Sequence, residues 1–161
     1  MTSDGEVLTG LGFVGSHDRS KHRPNCVTCD LPAFRETCRW LDIYFSGRPP
    51  DFTPRYRMDN LTPFRREVVD ALCAIPFGET ATYGEIAAAL AKKRGTAKMS
   101  AQAVGGAVGW NPICIIVPCH RVIGANRSLT GYGGGIANKV SLLALEGQIV
   151  QPKHKLGARS K

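Results

Sequence analysis

Between Thr62 and Ser100 the chain carries three separate helix-start signals, and they limit its fold more than any other feature. Thr62 is placed to cap a helix with Pro63 at its first position, where the missing N–H costs nothing. Phe64, Val68, Leu72 and Ile75 then share one face of that helix, and "IPFGE" ends it. Thr82 and Glu85 form a Thr-x-x-Glu capping box ahead of "YGEIAAALAKK". "RGTAKM" reads as a turn. Ser100 starts a third helix, "AQAVGGAVG", which stops at Asn111-Pro112. A helix followed by two short helices joined by a turn fits a helix-turn-helix. Ordinary helix packing in a small domain fits the same pattern.

The third helix is short of bulk. Ala101, Ala103, Gly105, Gly106 and Ala107 crowd it, and each internal glycine costs about 1 kcal/mol relative to alanine. Close backbone approach offsets such a cost, to another helix or to a nucleic-acid groove. Plain core packing is the competing explanation.

The flanking segments are read more coarsely. "GEVLTGLGFVG" is strand-like. "SHDRSKHRPNCVTCD" is a polar loop. "LPAFRETCRWLDIYFSG" carries Phe34, Cys38, Leu41 and Phe45 at helical spacing. "RPPDFTPRYRMDNL" looks like a linker. "ICIIVP" reads as a short buried strand and "GANRSLTGYGGG" as a glycine-rich loop. In a last helix, "IANKVSLLALEG", Ile136, Val140, Leu143 and Leu145 are expected to face inward.

A formal net charge of +8 favours polyanionic partners, nucleic acid before membrane. Part of that excess sits in the tail "QPKHKLGARSK", read as disordered. No stretch approaches the ~18 apolar residues of a membrane span. The start, "MTSDGEVLTG", lacks the features of a secretory signal, so an intracellular protein is expected, cytoplasmic or, in a eukaryote, nuclear. The six cysteines do not resemble a secreted framework and most are read as free thiols.

The chemistry concentrates in "IIVPCHRVIG", residues 115–124. A nucleophilic cysteine needs access and a route for its proton. His120 and Arg121 give Cys119 a positive surrounding. In an extended segment, however, neighbours point to opposite sides, so contact between Cys119 and His120 requires a turn or a bridging water. Glu146 sits in the last turn of its helix, where its charge opposes the dipole. A histidine partner would explain it, giving a Cys-His-Glu relay. A buried inert cysteine beside a solvated glutamate is the bland alternative.

"NPICIIVPCHRVIG" followed by "GYGGGIANKVSLLALEG" closely resembles the O6-alkylguanine-DNA alkyltransferase family (methylated-DNA–protein-cysteine methyltransferases). "TPFRREVVDALCAIPFGETATYGEIA" resembles that family's DNA-binding helices. The likeness runs from Leu61 to Gly147 and more weakly into "SDGEVLTGLGF" and "LPAFRETCRWLDIYFSGRPPDF". It implies an α/β fold. A ribonuclease H-like sheet domain over residues 1–50 would lack its first strand, and 51–60 would be a linker. Residues 61–148 would form a mainly helical alkyltransferase domain with a helix-turn-helix, and 149–161 the basic tail.

The resemblance also implies roles. Cys119 would accept the alkyl group of O6-alkylguanine in duplex DNA irreversibly, in a single turnover. His120 would be the base, Glu146 would orient it, and Asn111 would brace the hinge before the active-site segment. Tyr83 would help rotate the nucleotide out of the duplex, at a cost of a few kcal/mol. Tyr132 would line the alkylguanine pocket. Arg121 and Gly133 complete the expected substrate and DNA contacts. Gln102 stands where well-studied members carry an arginine on the minor-groove helix, and Gly133 stands where some carry serine. No cofactor is implied, the partner is double-stranded DNA bearing O6-alkylguanine, no membrane is involved, and a monomer is expected.

Other readings fit parts of the chain. One is a protein that binds alkylated DNA without repairing it, against which Cys119 argues. Another is a DNA-binding regulator with redox-sensing or zinc-binding thiols. His17, His22, Cys26 and Cys29 are the candidate zinc ligands, although their spacing is not a strong match. The last is a thiol hydrolase using Cys119, His120 and Glu146.

Overall fold

The computed structural model describes residues 1–16 and 28–148. It is a mixed α/β structure. Among the described residues, five α-helices run Pro32–Phe45 (α1), Pro63–Cys73 (α2), Tyr83–Arg94 (α3), Ala101–Trp110 (α4) and Ile136–Leu145 (α5). Strands Thr2–Ser3 (β1) and Leu8–Gly10 (β2) pair antiparallel. Ala81–Thr82 (β3) and Val122–Ile123 (β4) pair in parallel, which ties the start of α3 to the segment that follows Cys119–Arg121. Among the described residues, no helix is long and apolar enough to cross a membrane.

The helix boundaries follow local chemistry. Thr62 Oγ1 accepts from Arg65 N at 3.3 Å, and Ser100 Oγ accepts from Ala103 N at 3.3 Å. Each satisfies an N–H that the helix cannot. Thr82 and Glu85 close the capping box reciprocally, at 3.1 and 2.6 Å. Gly95 ends α3 in the left-handed conformation (φ 66°), just beyond Lys92, Lys93 and Arg94, whose charges suit a helix C-terminus.

One contiguous core joins both ends of the chain. Leu8, Trp40 and Tyr44 pack in it with Val68, Leu72, Leu90, Val104, Ile113, Val117 and Leu142. Residues 51–60, expected as a linker, take part: Leu8 N donates to Arg55 O (3.0 Å) and Arg57 N to Leu8 O (2.9 Å). Trp40 Nε1 donates to Phe52 O at 2.9 Å, and Met58 is buried.

Several local expectations are corrected. Helix α1 buries Ala33, Thr37, Trp40 and Tyr44, while Cys38 and Phe45 are exposed. That face carries polar atoms, and each is satisfied: Thr37 Oγ1, for instance, donates to Ala33 O at 2.7 Å. A hydrophobic count therefore misplaced the face. Helix α5 likewise buries Lys139, Leu142 and Leu143, with Val140 and Ile136 only partly covered.

"ICIIVP" is buried but is not a strand. Leu11 makes a single parallel bridge with Ile113, and the chain then turns through Ile115, whose φ is +70°. Ile116 N donates to Cys114 O, and Val117 N to Ile113 O. An apolar run shows burial, not backbone shape. Here the shape is set by a side chain at its start, Asn111.

Candidate active site

Pro118 leads into one turn of 3₁₀ helix, Cys119–Arg121. Side chains on such a turn fan out around its axis rather than alternating. This removes the geometric obstacle that an extended segment would impose on Cys119 and His120, and both are buried.

Asn111 organises the turn before the cysteine. Its Oδ1 accepts from Ile113 N at 3.0 Å, and its Nδ2 donates to Ile113 O (3.2 Å) and Val117 O (3.1 Å). The same Nδ2 lies 3.1 Å from Cys119 Sγ and donates to it. One amide thus braces the loop and solvates the sulfur. A narrow cleft opens over the thiol, lined by Val108, Asn111, Cys114, Cys119, Tyr132 and Gly133. Burial pushes the Tyr132 hydroxyl up, and the neighbouring cysteines add to this, so it stays protonated.

Behind the thiol, Glu146 is the hub of a buried network. Its Oε1 accepts from Tyr44 Oη (2.7 Å), His120 Nε2 (2.8 Å) and Arg121 Nη2 (3.0 Å). Its Oε2 accepts from Arg121 Nε (2.8 Å) and Gly78 N (3.1 Å). Burial alone would raise this carboxyl, but the hydrogen bonds from His120, Arg121 and Tyr44 more than offset it, leaving about 2. Glu146 is therefore an anion at neutral pH. Burial pushes His120 down, only partly opposed by Glu146, so its imidazole is neutral there. Gly78 needs its φ of +80° to aim its N–H at the carboxylate, and a Cβ would lie 3.1 Å from Glu146 O.

Arg121 was expected at the DNA but is turned inward. Besides clamping Glu146 it donates from Nη1 to Ile75 O at 2.7 Å. A buried carboxylate needs a partner more than the surface needs another cation.

Gly133 lines the cleft, and Tyr83 reaches its rim at Gly131. Tyr83 begins α3, and its hydroxyl donates to Gly131 O at 3.4 Å. Gln102 is exposed on the first turn of α4, and Gly133 is exposed at the cleft. A Cβ on Gly106 or Gly109 would meet nothing within 4 Å. Packing within the protein does not call for these two glycines. The loop over the cleft closes on the N-terminal segment: a Cβ on Gly134 would lie 2.6 Å from both Phe13 and Tyr132.

Sequence reading missed Tyr44, Cys114 and Lys139. Lys139 is fully buried and donates to Val122 O (2.5 Å) and Thr130 O (3.3 Å). Burial pushes it down to about 8. A lysine in register with Leu142, Leu143 and Glu146 was the available signal. Of the zinc candidates, His17, His22 and Cys26 lie outside the described residues, and Cys29 is exposed. Among the described residues, no three His, Cys, Asp or Glu side chains gather as a metal site.

A thiol under an amide donor, backed by a histidine–carboxylate pair, has the make-up of a cysteine-nucleophile protein. Known proteins make this specific. The family model described as "6-O-methylguanine DNA methyltransferase, DNA binding domain" matches residues 63–148. The chain is 43% identical over 148 residues to the methylated-DNA–protein-cysteine methyltransferase of Mycobacterium tuberculosis, covering 91% of this chain and 84% of that protein. With the Methanosarcina mazei methyltransferase it shares 46% over 146 residues, 91% of this chain and 88% of that one. The crystal structure of M. tuberculosis OGT in complex with DNA aligns with a TM-score of 0.73 at 43% identity, over 90% of this chain and 83% of that chain. The chain belongs to the 6-O-methylguanine DNA methyltransferase family.

Proposed function

We propose that this protein repairs O6-alkylguanine in duplex DNA by moving the alkyl group onto Cys119, once and irreversibly. The observation that carries the reading is the Cys119 thiol under Asn111 Nδ2 at 3.1 Å, beside a buried His120–Glu146 pair at 2.8 Å. His120, neutral and oriented by Glu146, takes the thiol proton through a bridging water. The thiolate attacks the alkyl carbon. An S–C bond forms, the C–O6 bond breaks, and the electron pair passes to the guanine, which is protonated by Tyr83. The product is a thioether, and nothing in the relay reverses it. Tyr132, Gly133 and Cys114 line the space for the extruded base.

Helices α3 and α4 act as a helix-turn-helix, with α4 entering the minor groove. Gln102, Gly106 and Gly109 form its outer face, and the two glycines let a DNA backbone approach closely. Gln102 takes the place of the extruded base and bonds the orphaned partner base without adding charge. Residues 61–148 make up this alkyltransferase domain. Residues 1–50 are a reduced ribonuclease H-like unit, joined to it through 51–60. Binding without repair is not favoured, because the acceptor thiol and its relay are intact.

The test is intact-protein mass after incubation with a duplex holding one O6-methylguanine. Wild type should gain one methyl group in place of a hydrogen, and Cys119→Ala should gain none. A wild type that binds the duplex and gains no mass would overturn the reading.

A further inference from the structure

Tyr44 lies on α1, outside residues 63–148 that the family model matches, yet it touches both members of the relay. Its side chain is fully buried. The hydroxyl donates to Glu146 Oε1 at 2.7 Å and stands 3.2 Å from His120 Nε2. Aromatic neighbours clamp the ring. Trp40 stacks on it at 5.4 Å with an interplanar angle of 7°, while Phe45 and Phe77 meet it edge-on at 5.4 and 5.8 Å.

The direction of each proton follows from this geometry. Burial and the anionic Glu146 keep the phenol protonated. Its single proton goes to Glu146, so toward His120 the phenol oxygen only accepts. Glu146 Oε1, a carboxylate oxygen 2.8 Å from the same Nε2, also only accepts. Two acceptors therefore face Nε2, which must carry the hydrogen. Nδ1 is left as the lone-pair nitrogen, and it is buried with no protein partner. That is the nitrogen available to a base. We infer that Tyr44 is a positioning residue for alkyl transfer, fixing with Glu146 the His120 tautomer that exposes Nδ1, so that the N-terminal segment completes the relay. The inference rests on the function proposed above.

Removing the phenol hydroxyl has a direction. Glu146 loses a donor that disperses its charge and becomes a stronger acceptor, so His120 becomes more basic. The charged and titratable groups facing His120 are Glu146 and Lys139 from α5, Arg121 from its own turn and Tyr44 from α1.

The experiment is single-turnover methyl transfer from an O6-methylguanine duplex, followed across pH, for wild type and Tyr44→Phe, with DNA affinity and melting temperature measured alongside. In the variant the rate at neutral pH should fall roughly tenfold, the scale of one hydrogen bond to a charged group. The acid limb should move to higher pH, and DNA affinity should be unchanged. A pH profile that superimposes on wild type, with only the melting temperature lowered, would make Tyr44 structural and overturn the inference. ¹⁵N spectra of the wild-type histidines test it without any variant: His120 should be protonated on Nε2 at neutral pH, and protonation on Nδ1 would overturn it. Failure of the wild type itself to take up methyl on Cys119 is a separate result, and it would refute the proposed function instead.

Discussion

Replacing Glu146 by glutamine is the most demanding perturbation of this molecule, because five donors converge on its two oxygens. Glutamine keeps one oxygen and replaces the other with an NH₂ group. If the oxygen faces Tyr44 and His120, the NH₂ meets Arg121 Nε and Gly78 N, donor against donor. The opposite orientation sets it against Tyr44 and His120. The part-buried Arg121 charge also loses its counter-ion. Breaking a buried ion pair costs about 3–5 kcal/mol. The titration of Glu146 gives a similar scale: its folded value of about 2 lies below the ordinary 4.5, a difference worth about 3 kcal/mol.

The sign follows from that depression. The stabilisation is complete above pH 4.5 and is lost as pH falls through about 2. His120, held neutral by burial, adds an acid sensitivity in the same direction, beginning as pH drops through its ordinary 6.5. Urea unfolding at pH 7 should therefore show Glu146→Gln destabilised by about 3–5 kcal/mol, with a flatter stability profile below pH 4.5 than wild type. Methyl transfer should slow by about 10²- to 10⁴-fold, since the base loses its orienting anion. A variant within 1 kcal/mol of wild type that transfers methyl at the wild-type rate would refute the claim that this carboxylate supports both the fold and the base.

Asn111→Ala removes the amide that bonds Ile113 O, Val117 O and Cys119 Sγ, so urea unfolding should show a loss of about 2–4 kcal/mol. Its single-turnover transfer rate should fall as well, while duplex affinity, read by fluorescence anisotropy, stays within about twofold. Lys139 is depressed to about 8 from 10.5, so keeping it charged costs stability below pH 8, and that cost is relieved between pH 8 and 10.5. The stability difference between wild type and Lys139→Met should accordingly change in favour of wild type across that window, by up to about 3 kcal/mol, and be flat below it.

Much of the scaffold could be read directly from the chain. Thr62-Pro63, Thr82-x-x-Glu85, Gly95 and Ser100 each place a helix end through contacts spanning three or four residues. Such contacts leave a local signature. The Cys119-His120-Arg121 motif and Glu146 were legible for a different reason: residue type alone left an inert cysteine possible, and the motif's resemblance to a known family singled them out. The faces of α1 and α5 were not fully legible, because the polar atoms of buried Trp40, Tyr44 and Lys139 find their partners outside their own helices. The shape of residues 113–117 was hidden too, since an apolar run reveals burial and not the turn that Asn111 imposes.

What the sequence alone determined, then, is where helices begin and end and which residues bear the reactive groups. The tertiary structure decided how those groups meet. Tyr44 reaches His120 across 76 residues and Glu146 across 102. Arg121 turns from the surface to the carboxylate because a buried anion must be neutralised. Lys139 enters the core because two backbone carbonyls wait there for a donor. No periodicity encodes such meetings. They exist only after the core has folded, when low-dielectric surroundings make every buried charge and hydrogen seek a partner wherever in the chain it lies.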